Sequence, residues 1–198
     1  MYHTRRIGCI ELKLNLGCGY NRLEGYVNVD SDPLCKPDIV ADLEQPLPWE
    51  DNSVDEIVLN HVLEHLGQDT RTYFRIWQEF YRVLKNGAFV LITVPHHRHD
   101  NFFHDPTHVR VVTPVGIDMF NQRRNTEVIR SGGQEGTLGL QLGIDIGVMD
   151  VAYDLTPWFQ EHVLDMSREQ AEQELNRYNN TCFQVHIKAK AYKPARSL

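Results

Sequence analysis

The sequence contains no long apolar run. Nothing in it approaches the ~18 consecutive apolar residues of a membrane-spanning helix, and the opening MYHTRRIGCIELKLNLG brings in charge after too few apolar residues for a secretory signal. No membrane partner is expected, and the cytoplasm is the expected compartment. Cysteine is scarce: Cys9, Cys18, Cys35 and Cys182 stand far apart with no C-x-x-C pair, so neither a disulfide framework nor a zinc ribbon is indicated and reduced thiols are expected. Positive charge is in deficit, with 20 Lys and Arg against 27 Asp and Glu for a net charge of −7. That balance withholds the uniform positive field on which nucleic-acid binding draws, and no nucleic-acid partner is expected. Repeats, low-complexity tracts and linkers are lacking too. What remains is an ordinary globular composition, 41% hydrophobic and 24% charged over 198 residues, suited to one domain spanning 1–198.

Residues 12–16, LKLNL, alternate apolar and polar and stop at Gly17-Cys18-Gly19, as a strand entering a sharp turn does. Tyr26-Val27-Asn28-Val29 ends at Asp30, and Asp38-Ile39-Val40-Ala41 ends at Asp42, so each of these strands delivers a carboxylate at its carboxyl end. Residues 46–53 are turn chemistry, 54–59 read as a fourth strand and 61–66 as a short helix. From Asp69 the period changes: Tyr73, Phe74, Trp77, Phe80, Tyr81 and Leu84 recur at helical spacing, with Asp69 or Thr70 as N-cap and Asn86-Gly87 as the stop. This aromatic stripe is read as core. Residues 89–94 form a continuous apolar run, the pattern of a strand buried on both faces of a parallel sheet. Leu140, Leu142, Ile144 and Ile146 alternate as a further strand, and Phe183, Val185, Ile187, Ala189 and Ala191 as another. Between them, Ser167-Arg168-Glu169-Gln170 resembles a capping box opening a polar surface helix to about Tyr178. Residues 121–139 gather polar residues and glycines without a clear period and read as loop. The whole predicts an α/β sheet, mostly parallel with an antiparallel end.

In open α/β sheets, ligands bind at the carboxyl ends of the strands. Gly17 and Gly19 remove side chains where the chain turns after the first strand, letting a ligand lie against bare backbone. Asp30 is placed to accept hydrogen bonds from a ribose diol. Asp42 could accept from an exocyclic amine such as that of adenine, with the Leu43 amide beside it. Two carboxylates aimed at one ligand favour a cationic nucleoside over a phosphate-rich one. Alone, each feature has a plainer reading: a tight turn, an N-cap, a loop carboxylate. Their place at successive strand ends raises the functional one.

The ordered set LNLGCG, VNVD, ADLEQPLPWEDNSVDEIVLNHVLEHL and FYRVLKNGAFVLITVP resembles the class I S-adenosylmethionine-dependent methyltransferases of the broad type 11 group, over residues 12–95. The resemblance implies a Rossmann-like, mostly parallel seven-stranded sheet with an antiparallel last strand, and S-adenosylmethionine as cofactor. It places the Gly17-Cys18-Gly19 turn under the amino-acid part of the cofactor, Asp30 on the ribose hydroxyls, Asp42 and Leu43 on adenine, and Asn60 and His61 at the methionine end. One departure stands out. Only ten residues separate Gly19 from Asp30, whereas a full crossover helix takes about a dozen or more, so the first helix is shortened to a turn at 21–25 or absent. The same compact pattern resembles a subgroup of polysaccharide-pathway methyltransferases.

Half of the ten histidines fall in HHRHDNFFHDPTH, residues 96–108, directly after the fifth strand and thus at the ligand edge. We take 96–139 as the substrate side. Methyl transfer to a hydroxyl needs alignment and a proton acceptor, which a histidine supplies near neutral pH. His108 and His104 lead, with Asp105 as orienting carboxylate; Glu64 and His65 come next. For any one of these histidines, capping, packing or solvation is the ordinary fate. His96, His97, His99, His104, Asp105 and His108 are competent metal ligands, but Pro106 breaks the spacing that would aim His104 and His108 at one ion, and no metal is expected. Arg98 and Arg110 could bind an anionic substrate group, and Arg123 and Arg124 could add to it. The expected activity is methyl transfer from S-adenosylmethionine to a small molecule such as a saccharide. The alternatives are a non-catalytic cofactor-binding or interaction protein of the same fold and, against the short crossover, a nicotinamide-dependent oxidoreductase.

Overall fold

The computed structural model describes residues 11–196, so the expectations for Cys9 and the opening residues lie outside it. Seven strands form one sheet: β1 (Lys13–Leu16), β2 (Val27–Asp30), β3 (Ile39–Val40), β4 (Val54–Asn60), β5 (Leu84–Pro95), β6 (Ile146–Leu155) and β7 (Cys182–Ala191), in the order β3-β2-β1-β4-β5-β7-β6. The five on the first side are parallel, while β7 runs antiparallel to both β5 and β6. The Rossmann-like sheet with an antiparallel end is as the sequence implies. Among the described residues no helix is long and apolar enough to cross a membrane, and Cys18, Cys35 and Cys182 are free thiols.

Between β1 and β2 there is no helix. The loop is held instead by two buried asparagines, each the polar member of its strand's alternation. The Asn15 amide donates to Asn28 Oδ1 and to the Asn21 carbonyl, both at 2.9 Å, while Asn28 Oδ1 also accepts from the Leu23 N–H at 2.7 Å. The Asn28 N–H in turn donates to Asp38 on the way into β3. A helix packed there would need apolar side chains at both positions; asparagine instead satisfies loop backbone groups that would otherwise be buried unpaired.

The helix α1 (Thr70–Val83) starts on an Asp69 carboxylate that accepts from the Thr72 N–H at 3.0 Å, and it buries Tyr73, Ile76, Trp77, Phe80 and Val83. It runs directly into β5 at Leu84 rather than stopping at Asn86-Gly87. The strand irregularity opposite Val54–Glu56, with Gly87 at φ +84°, absorbs the change of direction. Burial along β5 alternates: Ala88, Val90, Ile92 and Val94 are buried, whereas Phe89, Leu91 and Thr93 are half-buried. The expectation of a strand buried on both faces is therefore corrected. A recess lined by residues of β4, β5, β6 and β7 lies open on that side.

After β5 come α2 (Asp100–His104), α3 (Pro114–Asp118), α4 (Gln122–Arg130) and α5 (Leu138–Leu142); α6 (Pro157–His162) and α7 (Arg168–Arg177) follow β6. Two expectations fail here. The alternation at 140–146 is not a strand: 138–142 are helical, Gly143 closes α5 in the left-handed conformation at φ +69°, and β6 begins only at Ile146. Residues 121–139 contain α4, whose buried face is polar. Asn125 is fully buried, its amide donating to the Met119 carbonyl and its Oδ1 accepting from Leu140, while Gln122 donates to the Gly139 carbonyl. Such a face carries no hydrophobic period. The Ser167–Gln170 capping box opens α7 as expected.

Candidate active site

The turn after β1 is shaped by close approach. Gly17 has φ +66°, and a Cβ built on it would lie 2.5 Å from Val62 Cγ2. The Cys18 N–H donates to the Val29 carbonyl at 2.9 Å. Asp30, ending β2, accepts from the Gly19 N–H at 2.7 Å on one oxygen and from the Asp32 N–H at 2.9 Å on the other, each oxygen keeping a lone pair. Asp42 stands just past β3 and accepts from the Glu44 N–H at 2.9 Å, which aligns the following backbone.

Gly17, Asp30, Asp42, Leu43 and His61 line one cavity of about 260 Å³ together with Val62 and His65. Cys18 is buried behind it, the Gly19 amide is taken by Asp30, and Asn60 is exposed at the end of β4; these three do not line it. A larger recess, about 350 Å³, lies beside α1 against Arg75, Gln78 and Glu79, but no strand end opens into it.

His61 adopts φ +55° at the exit from β4. Its Nε2 lies 2.8 Å from Gln184 Oε1 and its Nδ1 3.4 Å from Glu64 Oε1, an ion-pair approach rather than a hydrogen bond; the Glu64 carboxylate raises its pKa. A single 3-10 turn, Leu63–His65, stands where a short helix was expected.

The histidine segment divides. His96 is buried, and burial pushes its pKa down to about 4. His99 caps α2, its ring Nδ1 accepting from the Asn101 N–H at 3.0 Å. His104 is exposed at the end of α2, away from the cavity. Asp105 accepts from both the N–H and the hydroxyl of Thr107, at 2.8 and 2.6 Å, which hold its carboxyl below the usual range. The His108 side chain is only 7% exposed; its Nδ1 donates to the Phe102 carbonyl at 2.7 Å and its Nε2 lies 3.9 Å from Asp105 Oδ2. The His108 ring meets that of His65 edge-on, with centroids 4.7 Å apart.

The structure thus joins His108 and Asp105 to His65, and not to His104. Beneath them is a residue the sequence ranked lower: Glu64, fully buried, with neither carboxylate oxygen hydrogen-bonded. Its main chain accepts from the Val109 and Arg110 N–H groups at 2.9 and 3.1 Å, which ties the two segments together. Arg110 stacks 4.0 Å over Tyr73 and donates to the Gly67 carbonyl, Arg98 donates to the Asn176 carbonyl, and Arg123 and Arg124 pair with Glu127 and Glu135.

A model of the methyltransferase domain family matches residues 14–92, the stretch that supplies every strand end of the cavity. Those residues form a class I S-adenosylmethionine-dependent methyltransferase domain. The match supports S-adenosylmethionine as the cofactor. No curated protein sequence matches the chain. Among solved structures, an S-adenosylmethionine-dependent methyltransferase from Archaeoglobus fulgidus is 21% identical, with 91% of this chain and 86% of that one covered at a TM-score of 0.56. One from Listeria monocytogenes is 13% identical, with 93% and 92% covered at 0.51. The [4+2]-cyclase SpnF is 15% identical, with 92% and 76% covered at 0.50. The last shows that this fold also serves other reactions, so the likeness to structures establishes the methyltransferase fold and the family match carries the activity.

Proposed function

We propose that this methyltransferase acts on a small polar acceptor bearing a hydroxyl, a saccharide or comparable metabolite, held on the side formed by residues 96–139. The observation that carries the reading is the convergence of Gly17, Asp30 and Asp42 on one cavity that is also lined by His61 and His65, the latter packed against His108.

The residues suit the cofactor. Gly17 offers bare backbone at the cavity wall, its missing side chain making way for Val62 behind it. Asp30 has a free lone pair on each oxygen for the ribose hydroxyls, and Asp42 with the Leu43 main chain faces the adenine side. Neither the deficit of positive charge nor the two carboxylates would deter a cation, whereas a pyrophosphate would be repelled and would lack a helix N-terminus after β1. When bound, S-adenosylmethionine supplies an electrophilic methyl group on a cationic sulfonium. The chain's part is to align an acceptor oxygen with it and to take up the proton that oxygen loses. At about 260 Å³ the cavity falls below the ~300 Å³ at which ligand pockets usually begin, so the acceptor is assigned outside it, beside Glu64, His65 and His108. His104 has no place in this arrangement.

Calorimetry with S-adenosylmethionine and its demethylated product tests the cofactor assignment. Transfer of labelled methyl to a panel of sugars and other hydroxyl metabolites tests the acceptor. His108→Ala is expected to lower turnover by more than it lowers cofactor affinity. Equal loss of both, or methylation confined to amines or macromolecules, would overturn the reading.

A further inference from the structure

A buried carboxylate without a hydrogen-bond donor is a costly arrangement, because the charge has been taken out of water and no donor replaces the lost solvation. Glu64 comes close to that position: its side chain is 1% exposed, neither oxygen is hydrogen-bonded, and the His61 ring approaches Oε1 at 3.4 Å only as a loose ion pair. What surrounds it is chemically specific. Glu64, His65 and His108 each offer a ligand atom, and these atoms lie within 4.8 Å of one another. We propose that Glu64, His65 and His108 bind a divalent transition-metal ion.

Both imidazoles are already oriented for the task. The Nδ1 of His108 donates to the Phe102 carbonyl at 2.7 Å, which fixes the tautomer and leaves the Nε2 lone pair free. The Nδ1 of His65 lies 2.9 Å from the Thr107 hydroxyl, whose proton is committed to Asp105 at 2.6 Å, so His65 is the donor there and its Nε2 is also free. An acceptor behind each ligating histidine, here the Phe102 carbonyl for His108 and the Thr107 hydroxyl, itself bonded to the Asp105 carboxylate, for His65, is how metal sites set ring orientation and basicity. The ligands come from the turn after β4 and from the segment after α2, joined by the two main-chain bonds to the Glu64 carbonyl. This is why the spacing within 96–108 did not reveal the set: only His108 belongs to it, and Pro106 falls outside the geometry that matters.

Two neutral imidazoles and one carboxylate suit Zn²⁺, Mn²⁺, Fe²⁺ or Co²⁺, and they are poor in the all-oxygen donors that Mg²⁺ and Ca²⁺ require. Three protein ligands leave positions open. His65 also lines the cofactor cavity, so an ion here stands at the border between cofactor and acceptor. It would draw in an acceptor through oxygen and make its hydroxyl more acidic. That use of the ion rests on the reading of methyl transfer to a hydroxyl; the site itself does not.

The test uses chelator-stripped full-length protein, with Zn²⁺ by calorimetry and Co²⁺ by its visible absorption. The expected result is one ion per chain at micromolar affinity or tighter, undisturbed by excess Mg²⁺. Glu64→Gln and His108→Ala should each lose at least tenfold in affinity, while His97→Ala and His104→Ala should bind as the wild type does. Because Glu64→Gln removes a buried charge that only the 3.4 Å approach of the His61 ring offsets, it should fold and melt close to or above the wild-type temperature without metal, yet gain nothing when Zn²⁺ is added. No stoichiometric binding overturns the proposal, as does binding that survives Glu64→Gln and is lost in the His97 or His104 variants. S-adenosylmethionine calorimetry on the same samples is read separately: metal binding without cofactor binding sinks the methyl-transfer reading and leaves the site standing.

Discussion

Gly17→Ala is the sharpest test of how the cofactor turn is built, because the structure separates its cost into two parts. The left-handed backbone at φ +66° charges any L-residue about 1–2 kcal/mol. The new Cβ would also lie 2.5 and 2.7 Å from the two methyl groups of Val62, which is 7% exposed and belongs to the core, and overpacking of that kind costs about 1–3 kcal/mol. The single variant should therefore lose about 2–5 kcal/mol. Gly19→Ala is the internal control: φ is +49° but nothing lies within 4 Å of the added Cβ, so only the backbone part, about 1–2 kcal/mol, should appear. Val62→Ala removes both clashing methyls and leaves only its Cβ at 3.2 Å, so in the double variant Gly17→Ala should cost little more than Gly19→Ala does, a coupling of about 1–3 kcal/mol between neighbours. Urea denaturation of the four proteins, with m-values compared to confirm a common unfolded reference, measures it. Equal losses from the two glycine variants, or strict additivity of Gly17→Ala and Val62→Ala, would refute the close-approach argument.

Asp30→Ala should weaken S-adenosylmethionine binding by about 3 kcal/mol if two ribose bonds at ~1.5 kcal/mol each are lost; unchanged affinity in calorimetry removes the ribose assignment. Arg196→Ala strips the fully buried Asp145 of its guanidinium, which sits at 2.9 Å on each oxygen. Breaking buried pairs costs about 3–5 kcal/mol, and since Arg196 is itself a third exposed the lower end applies, to be read as a fall in denaturation midpoint; no fall would mean the clasp contributes nothing. His96 predicts a pH dependence: burial, helped by the neighbouring charges of His97, Arg98 and His99, pushes it down to about 4 from 6.5. The unfolded chain takes up the proton first, so this contribution to stability is complete above pH 6.5 and is lost as pH falls toward 4. A His96→Gln variant should lack that loss, and parallel stability profiles for the two proteins would contradict it.

The strand ends were legible because alternation and a terminal carboxylate are both local signals: VNVD and the stretch from Asp38 to Asp42 show where the strand stops and what it presents. Glu64 was not, because its significance lies in what fails to touch it, and its partner His108 arrives from forty-four residues further along the chain. The face of α4 was hidden for a related reason, since Gln122 and Asn125 pack by hydrogen bonds and leave no apolar period. The error over β5 has a more instructive cause. Its run of apolar letters implied cover on both faces, yet the short passage from β1 to β2 leaves no helix there and turns two strand positions into asparagines that hold a loop. Further along the same side of the sheet no helix among the described residues covers β5 either, and Leu91 and Thr93 border an open recess. Phe89 keeps its apolar character there because the ammonium of Lys188, on the neighbouring β7, sits 4.2 Å over its ring and its alkyl stem shields the edge. The ten-residue crossover thus accounts for the polar network, and it does so while leaving Gly17 and Asp30 where a nucleoside without phosphates can use them.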